Sequence, residues 1–127
     1  MYSINEVEKM YGLKASTLRF YEKEGILPKI NRDSGGRRKY TEQELEWIQL
    51  VLALRSTGMT IEELKEYMGL IRKGSETLEE RRELLLKHKA NVEERMAETF
   101  AHLEKINKKV AIYDITIHQK NGGTFLM

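Results

Sequence analysis

The last third of the chain repeats its apolar positions at alternating steps of three and four residues. One series runs Leu78, Leu85, Val92, Thr99, Ile106 and Tyr113, and the other Arg82, Lys89, Met96, Leu103, Val110 and Ile117. That spacing is a coiled-coil seam. At about 1.5 Å per residue, roughly forty residues form a rod of about 60 Å, which one chain this small cannot cover. A second copy is the expected partner, antiparallel or parallel, with Leu85, Val92, Met96, Leu103, Ile106, Val110 and Tyr113 as dimerisation residues. Arg82, Lys89 and Thr99 interrupt the seam near its start and can fix register. A single amphipathic helix folded back on its own domain is the plainer alternative.

Upstream of the rod, helix starts are marked by one kind of signal. Ser3 with Glu6, Thr41 with Glu44, Thr60 with Glu63 and Thr77 with Glu80 each match the reciprocal capping box, in which a hydroxyl and a carboxylate satisfy the orphan amides of a first turn. A first helix over Ile4 to Tyr11 carries Ile4, Val7 and Met10 or Tyr11 on one face and stops at Gly12. Thr41 to Ser56 presents Leu45, Ile48, Leu52 and Leu54 with Trp47 alongside, and Thr60 to Arg72 presents Ile61, Leu64, Tyr67, Met68 and Ile71. One proline leaves the long helices uninterrupted. The expected fold is mainly α, with a winged helix-turn-helix over residues 1–74, a dimerisation helix over 75–118 and a tail over 119–127.

Between the first helix and Thr41 lies the stretch that carries chemistry. KASTLRFYEKEGIL, from Lys14 to Leu27, reads as a short helix ended by Gly25, with Leu18 anchored on a core and Lys14, Ser16, Thr17 and Arg19 outside. Lys14 occupies the place of a capping hydroxyl, so this helix start is the least well specified. A guanidinium, an amine, two hydroxyls and the nearby rings of Phe20 and Tyr21 suit base edges and phosphates. Two short helices joined at a glycine, the second basic outside, describe a helix-turn-helix. PKINRDSGGRRKY, from Pro28 to Tyr40, then reads as a β-hairpin turning at Asp33-Ser34-Gly35-Gly36. Strand alternation sends Arg37 and Lys39 one way and Arg38 and Tyr40 the other. Such a hairpin has the form of a wing, in which arginines and a tyrosine hydroxyl grip phosphates beside the groove, and a mobile charged loop is the plainer alternative.

Charge distribution supports that reading better than net charge does. The whole chain is only +2, but Lys14 to Tyr40 holds eight basic residues against three acidic ones, so that window is +5 and the remainder −3. There is no cysteine, which removes disulfides, thiolate metal sites and thiol redox sensing. The N-terminus carries Glu6 and Glu8 and no cationic segment before an apolar core, so no signal peptide is expected. The longest apolar run, Leu50 to Leu54, is too short for a membrane span. A cytoplasmic protein is expected, with no membrane partner and no cofactor. Nothing resembles a nucleophile with its base, so no enzyme is expected.

The chain resembles transcription regulators of the MerR family. The resemblance is carried by Thr17-Leu18-Arg19-Phe20-Tyr21-Glu22, by Gly25-Ile26-Leu27-Pro28, by Gly36 with Arg38 and Tyr40, and by the run from Leu54 to Leu64, LRSTGMTIEEL. It is close from Tyr2 to about Lys73 and holds in kind for the rod. It implies a homodimer joined by an antiparallel coiled coil and bound to a palindromic promoter operator of double-stranded DNA. Arg19 with Lys14, Ser16 and Thr17 would enter the major groove. Tyr21, Arg38 and Tyr40 would hold backbone, and Arg55 would contact phosphates nearer the dyad. Members of the family bend and underwind the DNA so that both promoter elements face RNA polymerase, which adds the cost of deforming the central base pairs to specificity.

The stimulus is where the sequence departs from the family. Trp47 to Leu64 is similar to the branch that senses aldehydes and other electrophiles through one cysteine, but the aligned position holds Ala53. The cysteine pairs of metal-sensing members are missing too, and only about ten residues follow Ile117. His88 and His102 stand about 21 Å apart along one helix, too far to share a metal within a chain, and they read as solvated rod residues. A small apolar effector near Ala53, Tyr67 and Ile71 is the remaining expectation. The rival reading from another class is a coiled-coil adaptor whose basic face binds an acidic protein.

Overall fold

The computed structural model describes residues 1–122. The elements run β1 (Tyr2–Ser3), α1 (Ile4–Tyr11), α2 (Ala15–Lys23), β2 (Asn31–Arg32), β3 (Arg38–Tyr40), α3 (Glu42–Ser56), α4 (Ile61–Arg72), a 3₁₀ turn (Ser75–Thr77) and α5 (Leu78–Lys120). The fold is mainly helical, with a small three-stranded wing sheet and a long C-terminal helix. By contacts the chain forms two compact units that divide between His88 and Lys89, inside α5. Of the tail expected over 119–127, Gln119 and Lys120 close α5, and the last five residues lie outside the described ones.

Three of the four capping boxes form with both bonds in place: Ser3 with Glu6, Thr41 with Glu44 and Thr60 with Glu63. Their carboxyls at Glu6 and Glu63 are held below the ordinary carboxylate range, first by the backbone amide of the capping residue. The fourth does not form. Thr77 is buried inside the 3₁₀ turn, donates its hydroxyl back to the Leu70 carbonyl at 2.5 Å and accepts from Arg81 Nε at 3.0 Å. Its hydroxyl is committed to the preceding turn, so a 3₁₀ segment leads into α5 instead of a box.

The core of the first unit gathers Val7 of α1, Leu18 and Tyr21 of α2, Ile26, Leu27 and Ile30 of the following loop, Tyr40, four residues of α3 and Met59, Leu64 and Tyr67. On α3 the buried positions are Leu45, Ile48, Val51 and Leu54, and Leu52 is only half-buried. Val51 continues the i, i+3 row from Leu45 and Ile48, which the expected set skipped. Met10 is exposed, which leaves Tyr11 to continue the face of Ile4 and Val7. Leu84 and Leu85, in the first turns of α5, pack against this core. Leu85 therefore has an apolar contact within its own chain, beyond any role in a seam.

The sheet order is β1-β3-β2, antiparallel throughout, with Tyr2 opposite Tyr40, Ser3 opposite Lys39, and Arg32 opposite Arg38. Strand β1 was absent from the sequence reading, because two residues give no alternation to read. Its consequence is positional: Ser3 pairs with the wing and caps α1 at the same time.

In the second unit, α5 from Lys89 onward is almost wholly exposed. Val92 is half-buried, whereas Met96 is 66% and Ile106 59% exposed, and Leu103, Val110, Tyr113 and Ile117 are exposed likewise. Among the described residues no helix is long and apolar enough to cross a membrane.

Candidate nucleic-acid interface

The position of α2 is set from both ends. At its start Lys14 has extended backbone and gives no side-chain cap. The orphan amide of Ala15 is satisfied by Glu8 of α1, whose Oε2 accepts at 2.9 Å. Gly12, left-handed at φ 64°, makes the tight turn between the two helices. At the other end Gly25 has φ 74°, and its carbonyl accepts from the Arg72 guanidinium of α4. Glycine is required there by that positive φ, and a Cβ would stand 3.2 Å from the guanidinium, which would have to shift slightly. Lys65 of α4 adds an ion pair to Glu24 at 3.1 Å.

So fixed, α2 buries Leu18 and Tyr21 and turns Ser16, Arg19, Phe20 and Lys23 outward at i, i+3, i+4 and i+7. Lys14 is exposed and Thr17 half-buried. The Phe20 ring is 43% exposed and lies 6.1 Å from the Tyr21 ring, tilted by 51°.

The wing turn is built by Asp33. Its Oδ1 accepts from the amides of Gly35 and Arg37, both at 2.9 Å, and its carboxyl is held below the ordinary range chiefly by the Arg37 amide. Gly36, with φ 79°, closes the turn and its carbonyl accepts from Arg32 at 2.8 Å. From the wing, Arg38 reaches back to α2 and pairs with Glu22, Nε to Oε1 at 2.8 Å.

Between α2, the wing and the start of α1 lies a cleft of about 560 Å³ lined by Ser3, Ile4, Asn5, Arg19, Arg32, Gly36, Arg37, Arg38 and Lys39. Five cations converge on it, and the N-terminal turn of α1 adds its positive dipole end. The arrangement suits phosphate oxygens. Arg19, Arg37 and Arg38 were expected from the sequence. Arg32, Lys39 and Asn5 were not singled out, although both cations had been counted in the basic window. The two-face division of the wing does not separate its cations, since Arg37, Arg38 and Lys39 all line the cleft.

Tyr40 corrects an expectation. It is fully buried, its hydroxyl has no hydrogen-bond partner, and burial pushes its pKa up. From that position it is a core residue of the wing and not a surface phosphate contact. Tyr21 is also largely buried, at 7% exposure. Arg55 lies on the exposed last turn of α3, outside the cleft, with a bond to the Met59 carbonyl at 3.2 Å.

The three residues expected near an effector differ in exposure: Ala53 is exposed on α3, Tyr67 is buried and Ile71 half-buried on α4. Burial raises the Tyr67 hydroxyl pKa. A separate cleft of about 620 Å³, lined by Glu63, Glu66, Leu70, Glu80, Leu84, His88 and neighbouring residues, includes none of them. His88 is 9% exposed and bonded to Thr57, so it is not a solvated rod residue.

A helix-turn-helix whose second helix presents a polar outer face beside a basic wing defines a winged helix-turn-helix DNA-binding protein. The family model described as "MerR HTH family regulatory protein" matches residues 2–70, and the model "MerR, DNA binding" matches residues 45–111. The chain belongs to the MerR family of transcriptional regulators. An uncharacterised HTH-type transcriptional regulator of Haemophilus influenzae is 36% identical over 112 residues, 88% of this chain and 83% of that one. The regulator AdhR of Bacillus subtilis is 40% identical over 83 residues, 65% of this chain and 59% of that one. Among solved structures, HiNmlR, "a MerR family regulator lacking the sensor domain, bound to promoter DNA", superposes with a TM-score of 0.82 at 34% identity, covering 96% of this chain and 95% of that one. A MerR family regulator from Listeria monocytogenes gives 0.85 at 33% identity, covering 95% and 93%.

Proposed function

We propose that this DNA-binding regulator acts in the cytoplasm as a homodimer on a palindromic promoter operator, with α5 as its dimerisation helix over residues 75–118 and the winged domain over 1–74. The observation that carries the reading is the outward row of Ser16, Arg19 and Lys23 on α2 beside a cleft lined by five cations. Arg19, Lys14, Ser16 and Thr17 read base edges in the major groove, with Phe20 against the sugar-phosphate edge. Arg37 and Arg38 hold phosphates in the cleft, and Arg55 contacts backbone nearer the dyad.

The exposed row Met96, Leu103, Ile106, Val110 and Tyr113 supports pairing of α5 with a second copy, because so much apolar surface at heptad spacing is unfavourable in water. Two winged domains joined in this way bend and underwind the central base pairs, and RNA polymerase is the partner that reads the change. Ala53, Tyr67 and Ile71 remain the proposed surroundings of an apolar effector.

Truncation after Ala90 tests the dimer. The shortened chain should run as a monomer in sedimentation and bind a palindromic duplex at least about a hundredfold more weakly, since the two half-sites are no longer linked. Undiminished affinity would contradict the reading.

A further inference from the structure

We propose that Glu22 is a positioning residue for DNA binding, whose carboxylate holds the wing arginine Arg38 through Nε so that its terminal amino groups face a phosphate. The inference rests on the DNA-binding reading of the basic cleft and deepens it. By charge alone an acid at this place is unfavourable: Glu22 follows Arg19 by one turn on the helix that enters the groove, and a carboxylate repels phosphate. Its geometry assigns it another task. Oε1 accepts from Arg38 Nε at 2.8 Å, and both side chains are largely covered, at 15% and 18% exposure.

A guanidinium is a rigid planar fork, so engaging Nε fixes the plane and leaves the terminal edge for a second acceptor. Arg38 lines the cleft together with Arg19, Arg32, Arg37 and Lys39, and Glu22 does not. The carboxylate therefore stands behind the arginine, and the cation stands toward the cleft. The same bond ties the wing to α2 across sixteen residues of sequence. Contacts in the groove and contacts to the backbone thus keep a fixed spacing, which lowers the entropy lost when both form together.

The test is fluorescence anisotropy of the full chain on its cognate duplex over a range of salt, comparing wild type, Glu22→Leu, which has no acceptor for Nε, Arg38→Gln, the double variant and Arg38→Lys. Glu22→Leu should bind about tenfold more weakly although it removes a negative charge, and the slope of log affinity against log salt should fall by about one. In the Arg38→Gln background the same change should cause no further loss. Arg38→Lys keeps the charge but offers no Nε fork, and it should lose affinity as Glu22→Leu does. Thermal melts of each variant separate these effects from unfolding. Equal or tighter binding by Glu22→Leu, or a loss that persists undiminished without Arg38, would overturn the inference with the DNA-binding reading intact. Failure of the wild type to bind any duplex would overturn both.

Discussion

Thr57 Oγ1 and His88 Nε2 lie 2.8 Å apart, joining the C-terminal cap of α3 to the first turns of α5. The Thr57 hydroxyl also lies 2.7 Å from the Ala53 carbonyl, to which it donates. A histidine 9% exposed in this position is a structural link within the first unit. His88→Ala removes the bond and leaves a void beside Leu84. It should destabilise the fold by about 2 kcal/mol, which for a domain of this size lowers the melting temperature by on the order of 10 °C. A melt indistinguishable from wild type would show that the link carries no stability.

Tyr40→Phe should act in the opposite sense. The hydroxyl is buried without a partner, and a donor left unsatisfied costs its desolvation energy, so its removal should raise the melting temperature or leave it unchanged. DNA affinity should not fall. If the variant binds operator several-fold more weakly at an unchanged melting temperature, the hydroxyl reaches phosphate in the complex and the core assignment is wrong.

The capping boxes predict an acid limb of stability. The Glu6 and Glu63 carboxyls are depressed in the folded chain relative to the ordinary value of about 4.3. Depressed groups stabilise fully above their unfolded pKa, and that stability is lost as pH falls through the folded one. Melting temperature should therefore decline below about pH 5. In Thr60→Ala, which costs about 1 kcal/mol at neutral pH, the part of the decline due to Glu63 should shrink. A variant whose acid limb superposes on that of wild type would remove Glu63 from the account.

What the sequence made legible follows the range of the physics. Helix limits of Ile4 and Tyr11 came from a local cap and a local glycine, and the structure has both. The start of α2 did not, because its cap is the carboxylate of Glu8, seven residues back on another helix. Thr77 matched the box pattern as well as Thr60 does, yet its hydroxyl goes to the Leu70 carbonyl. Spacing names the donors and acceptors but not the partners that compete for them. The basic window located the cleft, and Arg19, Arg37 and Arg38 line it. Arg32, Lys39 and Asn5 were missed as site residues because they reach it through the pairing of β3 with β1 and β2.

Arg19 carries the central claim, that α2 reads base edges in an operator while the cleft holds its backbone. The most direct measurement is the affinity of wild type and Arg19→Ala, by fluorescence anisotropy, on the cognate duplex and on a scrambled one at two salt concentrations. Wild type should prefer the cognate duplex strongly and weaken steeply with salt. Arg19→Ala should lose about 1 to 3 kcal/mol on the cognate duplex and much less on the scrambled one, so that the preference narrows. An equal loss on both duplexes would contradict base reading by α2 and reduce Arg19 to a backbone contact.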